Sequence, residues 1–375
     1  MPKAQAEANS ESARDQVTVP AAAVTESAHR HPDPAPTADG RRPRAMVLMP
    51  SATFTTQFGA EELERLRTVA DVPDPIQYSD LTASDTRAVL AETEVLITSW
   101  GSPPLDARLL GTAPRLRAVF HAAGSVRRLV TDALWERQVL LTSSAEVNAD
   151  PVAEFTLASI IMAGKKAPFM AAAARSARGD WSQYRGAFGP LTNLDRTIGI
   201  IGYSKIGKRV VQRLQAMAVT VLVHDPVVDP AEIRAAGAQP VPLDHLLRGS
   251  DVVSVHAPEL PSTHHMLGAE QLALIGDHAT LINTARGSLV DTAALERECA
   301  TGRLNAILDV TDPEPLPADS VLFDLPNVMV TPHVAGSLGN ERRRMSRRAI
   351  TELERFSQGR PPLGAVTREE MAVLA

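Results

Sequence analysis

The chain has 375 residues, enough for two cores, since a single core stops growing at roughly 250–300 residues. With 44% hydrophobic and 22% charged residues it has the composition of a globular protein, and a formal net charge of −6 argues against general affinity for nucleic acid or anionic lipid. The single cysteine, Cys299, excludes an internal disulfide, and no Cys/His cluster has metal-ligand spacing, so no metal is expected.

Residues 1–43 are rich in Ala, Pro, Ser, Glu and Asp without apolar periodicity, so a disordered tail is expected there. The tail lacks the basic-then-apolar order of a secretory signal, and Glu7, Glu11 and Asp15 do not suit a transit peptide. With no apolar run of membrane-spanning length, the expected address is the cytoplasm, with no membrane partner. Structure is predicted to begin at the apolar run 45–49, followed by a helix over 60–69. Further apolar runs at 95–98, 116–120 and 139–142 alternate with helix-like segments, the pattern of a parallel sheet covered on both faces. Asp150-Pro151 reads as a helix start, with Asp as cap and Pro in the first turn. The helix from Val152 to about Lys165 is apolar on nearly every side through Phe155, Leu157, Ile160, Ile161 and Met162, and is expected to be buried all round where two domains meet. The polar stretch 178–189 reads as a connection into a second unit.

In that unit strands are predicted at 197–201, 219–224, 252–256, 280–284, 305–309 and 328–331. A helix over 205–217 puts Ile206, Val210, Leu214 and Met217 on one stripe. After His333 another helix, with Met345, Ala349, Leu353 and Phe356 on one face, is read as returning to pack on the first unit. Arg342-Arg-Arg344 and Arg347-Arg348 spread around that helix, which favours exposed ion pairs over a nucleic-acid site. Arg342 shares the stripe of Met345 and Ala349, which would let it face the interdomain cleft. Cys299 lies in an alanine-rich helical stretch and reads as a structural thiol.

The segment Thr197-Ile-Gly-Ile-Ile-Gly202-Tyr-Ser204-Lys-Ile-Gly207 reads as a strand, a tight turn and a helix. Such a turn offers the amides of Lys205 and Ile206 at a helix N-terminus to a pyrophosphate. Gly202 allows the turn and Gly207 the close packing of helix on sheet, while Ser204 stands where the dinucleotide fingerprint has its middle glycine. Asp225 follows at the end of the next strand, placed to accept from ribose hydroxyls and to repel a 2′-phosphate. NAD is therefore expected over NADP. A plain strand–helix turn with a loop-capping Asp225 is the competing reading.

Ligands of open α/β sheets bind beyond the carboxyl ends of the strands. Four strands of the second unit end in Ser254-Val-His256-Ala-Pro258, Asn283-Thr-Ala-Arg286-Gly287, Asp309-Val-Thr-Asp-Pro-Glu314 and Thr331-Pro-His333-Val-Ala-Gly336. Together with the glycine turn and Asn148-Ala-Asp-Pro-Val-Ala-Glu154, these resemble the D-isomer-specific 2-hydroxyacid dehydrogenase family, in the family's order, over about residues 45–363. The resemblance implies an α/β fold of two doubly wound parallel-sheet domains: a central Rossmann NAD domain (151–333) and a flavodoxin-like substrate domain from both ends of the chain (44–150 and 334–375). It also implies a homodimer acting on a small 2-oxo or 2-hydroxy acid.

Arg286 would grip the substrate carboxylate, which guanidinium does through paired hydrogen bonds. His333 would give and take the proton, since imidazole titrates near neutrality, and Glu314 would orient it. Asp309 would meet the nicotinamide carboxamide side. Ala257, Pro258, Thr263, Thr284, Ala285, His333 and Gly336 would line the cofactor, and the amides of Ala123, Gly124 and Ser125 would help hold the carboxylate. The chain departs from the family at Ser204, at Gly124-Ser-Val-Arg127-Arg128 where Gly-Val-Asp is common, and at Leu338 and Asn340 where Thr and Glu are more usual. Arg127 and Arg128 read as solvent-facing; the sharper reading has one in the cleft, selecting an acidic or phosphorylated substrate. An NAD(H)-sensing corepressor and a formate- or phosphite-type dehydrogenase stay open on the same scaffold. Glu314 favours the hydroxy-acid enzyme over a formate enzyme, where glutamine is typical.

Overall fold

The computed structural model describes residues 41–80, 83–176, 178, 181 and 185–372. Most of the expected tail, residues 1–40, lies outside the described residues, as do parts of the 178–189 connection. Arg41–Pro43, assigned above to the tail, already make contacts: Arg41 pairs with Glu94 at 2.6 Å, and the Pro43 carbonyl accepts from Asp71 N–H.

Five parallel strands form the first sheet: β1 (Ala45–Leu48), β2 (Gln77–Tyr78), β3 (Val95–Thr98), β4 (Ala118–His121) and β5 (Leu140–Ser143), in the order β2-β1-β3-β4-β5. Seven parallel strands form the second: β6 (Arg196–Ile201), β7 (Val219–His224), β8 (Gln239–Pro240), β9 (Val252–Val255), β10 (Thr280–Asn283), β11 (Asn305–Leu308) and β12 (Val328–Val330), in the order β12-β11-β10-β9-β6-β7-β8. These are the flavodoxin-like and Rossmann orders, the latter extended by one strand. The near-continuous apolar runs are explained by burial on both faces. In β1, Ala45 and Val47 enter one apolar cluster while Met46 and Leu48 enter the other. In the second sheet Leu281 and Ile282 likewise point to opposite layers. Two of the four edge strands, β2 and β8, are not predicted from sequence because two residues carry no periodicity.

The helix Arg342–Ser357 returns to the first sheet as expected. Met345, Ala349, Ile350, Leu353 and Phe356 join the cluster of β1 and β4, with Phe356 edge-on to Phe120 at 5.9 Å. Fully burying a large apolar side chain contributes roughly 1.5–3 kcal/mol, so this stripe is the main tie of the chain's end to its beginning. Two of the four clustered basic residues outside the stripe form the anticipated ion pairs, Arg347 with Glu61 and Glu62, and Arg348 with Glu352.

Two expectations about the helix between the sheets need correction. It runs over Ala145–Gly164 with Pro151 inside it, so Asp150 is not its cap. Asp150 instead accepts from Arg209 and Arg213 of the helix Lys205–Leu214. Nor is the helix buried all round. Ile161 and Met162 are exposed, whereas the small Thr156 and Ser159 are buried because the close approach of neighbouring elements selects size over apolarity. The two halves face different sheets. Ser144, at the start, donates to His121 and Met345 carbonyls, while Ala153, Ile160 and Ala163 enter a core of the second sheet. Cys299 is fully buried in the helix Thr292–Ala300, and burial pushes its thiol up to about 12, the expected structural thiol.

Two histidines are buried neutral at strand ends. Burial holds His121 down to about 4 and His256 down to about 3. An unfolded chain protonates histidine near 6.5, so between about pH 6.5 and 4 the unfolded state binds more protons and stability falls as the pH is lowered. At about pH 5 each group costs about 2 kcal/mol relative to neutrality, about 4 kcal/mol together. Urea unfolding at about pH 7.5 and 5 is expected to show that loss, largely removed in His121→Gln/His256→Asn. Equal stability at both pH values would contradict it.

Candidate active site

The turn after β6 has the shape a phosphate cradle needs. Gly202 sits at φ +93°, and a Cβ there would lie 2.6 Å from the Ala257 backbone nitrogen; one on Gly207 would lie 2.1 Å from the Gly202 carbonyl. Both glycines are required by backbone approach rather than by composition. Ser204 sits at φ −90°, ψ −151°, a conformation serine adopts without strain, and its hydroxyl makes no cap bond to its own helix. The departure at the middle glycine therefore leaves the turn intact. The ten-residue helix Lys205–Leu214 starts here, so its first amides face the turn mouth without intrahelical partners.

Asp225, at the end of β7, accepts from the amides of Tyr203 (2.7 Å), Val227 (2.9 Å) and Val228 (3.1 Å). Its carboxylate ties the glycine turn to the neighbouring strand end. The carboxyl end of β9 leads into buried His256 and Ala257; Thr263 donates to the Pro258 carbonyl at 2.6 Å and closes that loop. Thr284 is hydrogen-bonded to Thr156 of the helix between the sheets at 2.8 Å, and Ala285 is buried beside it. These cradle and loop features fit a dinucleotide.

Arg286 follows β10, its carbonyl held by the Asn283 side chain at 2.8 Å. Burial lowers its guanidinium, the charges of Glu259 and Glu314 raise it, and those of Arg127 and Arg128 lower it again. Glu259 approaches it at 4.0 Å. His333 and Glu314 meet squarely, Nδ1 to Oε1 at 2.7 Å, with both side chains about half exposed (51% and 44%). The imidazole thus offers Nε2 outward while Nδ1 is held.

His333 stands at φ +54°, in the left-handed region that non-glycine residues rarely adopt. Asp309 holds it there: its carbonyl accepts from His333 N–H, and its carboxylate accepts from Val334 and Ala335 N–H and from the Thr331 hydroxyl. Asp309 is 2% exposed, so its most direct work in this structure is bracing the histidine loop.

The first sheet contributes the opposite wall. Buried His121 bonds Thr98 at 3.0 Å and the Ser125 backbone, which fixes the loop Ala123–Gly124–Ser125 after β4. Asn148 joins this loop to the histidine loop. It lies 3.3 Å from where a Gly124 Cβ would be, accepts from Ser337 N–H at 3.1 Å, and sits against Gly336. Arg127 is partly buried and donates to the Met371 carbonyl at 3.0 Å, so it is not simply solvent-facing; Arg128 is exposed. His121, Glu259 and Trp100 were not singled out from sequence, and Asn148 entered there only as the start of a motif, with no role. The strand-end rule, applied to β3 and β4 as it was to the second unit, would have found His121 and Trp100. Elsewhere, His264, His265 and Asp312 bring three possible ligand atoms within 4.8 Å, but all three are exposed and the two rings are stacked.

The fold and these strand ends define an α/β protein with a dinucleotide-binding domain. The family model for the NAD-binding domain of D-isomer-specific 2-hydroxyacid dehydrogenases matches residues 157–335. A glyoxylate reductase of Aeropyrum pernix is 31% identical over 89% of this chain and 98% of its own length. A D-3-phosphoglycerate dehydrogenase of Mycobacterium bovis is 34% identical over 72% of this chain, of which this chain spans only about half (51%). The apo D-mandelate dehydrogenase of Rhodotorula graminis shares the fold, with TM-score 0.75, 24% identity, and coverage of 89% and 99% of the two chains. The chain belongs to the D-isomer-specific 2-hydroxyacid dehydrogenase family. Its second sheet is accordingly a domain for a nicotinamide cofactor.

Proposed function

We propose that this protein transfers hydride between NAD(H) and C2 of a D-2-hydroxy acid or its 2-oxo acid, with Arg286, Glu314 and His333 as the catalytic set. The carrying observation is the 2.7 Å Glu314–His333 pair, whose carboxylate also acts on Arg286 from the adjacent strand end. Gly202, Ser204, Lys205, Ile206 and Gly207 would hold the pyrophosphate, and Asp225 the adenosine ribose. A carboxylate at that place disfavours a 2′-phosphate, which supports NAD over NADP.

In reduction, Arg286 grips the substrate carboxylate and draws on the carbonyl oxygen, while the amides of Ala123, Gly124 and Ser125 close on the carboxylate from the other wall. When bound, the reduced nicotinamide supplies the hydride to C2. His333 Nε2 gives its proton to the oxygen as it becomes an alkoxide, and Glu314 steadies the imidazolium beforehand. Its half-exposed ring then regains a proton from solvent. Oxidation runs the same steps backward. Asp309 supports the arrangement by holding the His333 loop, and would meet the carboxamide side of the nicotinamide.

The deciding experiment is NADH oxidation with glyoxylate, hydroxypyruvate, pyruvate and bulkier 2-oxo acids, alongside NAD reduction by formate and phosphite. Turnover of a 2-oxo acid is expected, with kcat/KM for NADH at least about tenfold above that for NADPH. Tight NADH binding without turnover would instead indicate a sensor, and formate or phosphite oxidation a different dehydrogenase. We also read the protein as a homodimer, supported by the exposed apolar Ile161, Met162 and Leu194, the first two on the helix Ala145–Gly164. Light scattering should then give twice the 40.1 kDa chain mass, and a monomer would refute it.

A further inference from the structure

In an open sheet of order β2-β1-β3-β4-β5, the crevice for a ligand opens at the carboxyl ends of β1 and β3, where the strand order reverses. Trp100 stands there, two residues past the end of β3. It is 38% exposed, so its ring is open to the crevice. Its carbonyl accepts from Thr53, and the adjoining Ser99 hydroxyl donates to the Ala122 carbonyl at 3.0 Å. The tryptophan is thereby set beside the loop Ala123–Gly124–Ser125.

Arg342, the first residue of the returning helix, lies over the Trp100 ring, its guanidinium carbon 5.7 Å from the centroid. Its other contacts are long: 3.5 Å to the Ser337 carbonyl and 3.4 Å to the Thr56 hydroxyl. Hydrogen bonds of that length are weak, so the guanidinium keeps donor capacity. No carboxylate among the described residues pairs with Arg342 or with exposed Arg128. Ser337 in turn belongs to the histidine loop and meets Asn148, which abuts Gly124. A continuous rim therefore runs from the reacting side of the cleft to the Arg342–Trp100 pair.

We propose that Arg342, seated on Trp100, is a second anion subsite that selects 2-oxo acids bearing another negative group on the side chain. With Arg286 committed to the C1 carboxylate, a substrate held by it points its remaining atoms toward the first sheet's strand ends. The chemistry recognised there is a carboxylate or a phosphate, which a guanidinium grips alike. The aromatic face under Arg342 fixes the fork without neutralising it, as a carboxylate partner would. The charge of Arg128 reaches Arg286 itself, so positive potential extends across the cleft mouth. Glu259 and Glu314 act on Arg286 with the opposite sign from the second-sheet side.

This inference rests on the hydroxy-acid reading, and its test separates the two. Steady-state kcat/KM would be measured with NADH for pyruvate and 2-oxobutyrate, for oxaloacetate and 2-oxoglutarate, and for 3-phosphohydroxypyruvate. A dianionic substrate is expected to exceed the monoanions at least tenfold, and comparing the dicarboxylates with the phosphate ester tells which anion the subsite takes. In Arg342→Gln that ratio should fall at least tenfold, with Arg342→Lys retaining part of it. Should the glutamine variant fail to fold, the wild-type ratio itself decides: it should drop several-fold from low to high salt, because the second charge is screened. Turnover of monoanions with no charge preference, or a ratio untouched by both Arg342→Gln and salt, overturns the subsite and leaves the hydroxy-acid reading standing. Absence of turnover with every 2-oxo acid overturns that reading, and the subsite with it.

Discussion

Replacing His333 by asparagine is expected to lower kcat by about 10²–10⁴, the range for removing a general acid–base. Asparagine is the informative choice because His333 sits at φ +54°, where asparagine is among the few residues that settle readily. The variant keeps the loop bonds to Asp309, which come from backbone N–H groups, and loses only the imidazole. Alanine at the same place would add backbone strain and confuse the result. NADH affinity, followed by fluorescence, should change far less than kcat, since the cradle is built from residues around Gly202. An asparagine variant retaining more than a tenth of wild-type kcat would remove His333 from the chemistry. Glu314→Gln keeps a hydrogen-bond acceptor at Nδ1 but withdraws its charge, so a smaller fall is expected.

The second large effect concerns Arg286. Arg286→Lys is expected to lower kcat/KM by about 10²–10³, since losing one partner of a desolvated charge pair costs about 2–5 kcal/mol and each tenfold is about 1.4 kcal/mol. Lysine preserves the charge and most of the length. What it lacks is the planar fork that holds both carboxylate oxygens and fixes the carbonyl before the hydride. The loss should fall on kcat as well as KM, because positioning matters most in the transition state. The backbone at this position is held by Asn283 and would survive the change. A lysine variant within fivefold of wild type would show that charge alone suffices, and the paired-bond role would be wrong.

Arg286, Glu314 and His333 illustrate how far residue types and spacing reach. Each follows a parallel strand whose apolar run is plain in the sequence, fully buried in β10 and β11 and partly buried in β12, and parallel strands present all their carboxyl ends on one side. Once β10, β11 and β12 are adjacent, the three side chains are neighbours, and the adjacency of successive strands is itself a common pattern. Asp225 and the glycine turn were legible for the same reason. The boundaries of the helix Ala145–Gly164 were not. Local rules made Asp150-Pro151 a start, but pairing of Asp150 with Arg209 and packing on both sheets carried the helix through the proline.

The sequence by itself thus determined the strand–helix alternation and the two-sheet architecture, and pointed to the residues proposed to react, because these depend on periodicity and on residue chemistry at strand ends. It also made the single cysteine structural and the returning helix a partner of the first sheet. Only the tertiary structure decided what stands around those groups. That Asp309 braces the left-handed His333, that Asn148 joins two loops, and that Arg342 lies on Trp100 are contacts between residues distant in sequence. No local propensity encodes such contacts, since they depend on how two sheets and a returning helix pack. The surroundings proposed to select the substrate's side chain are set at that level.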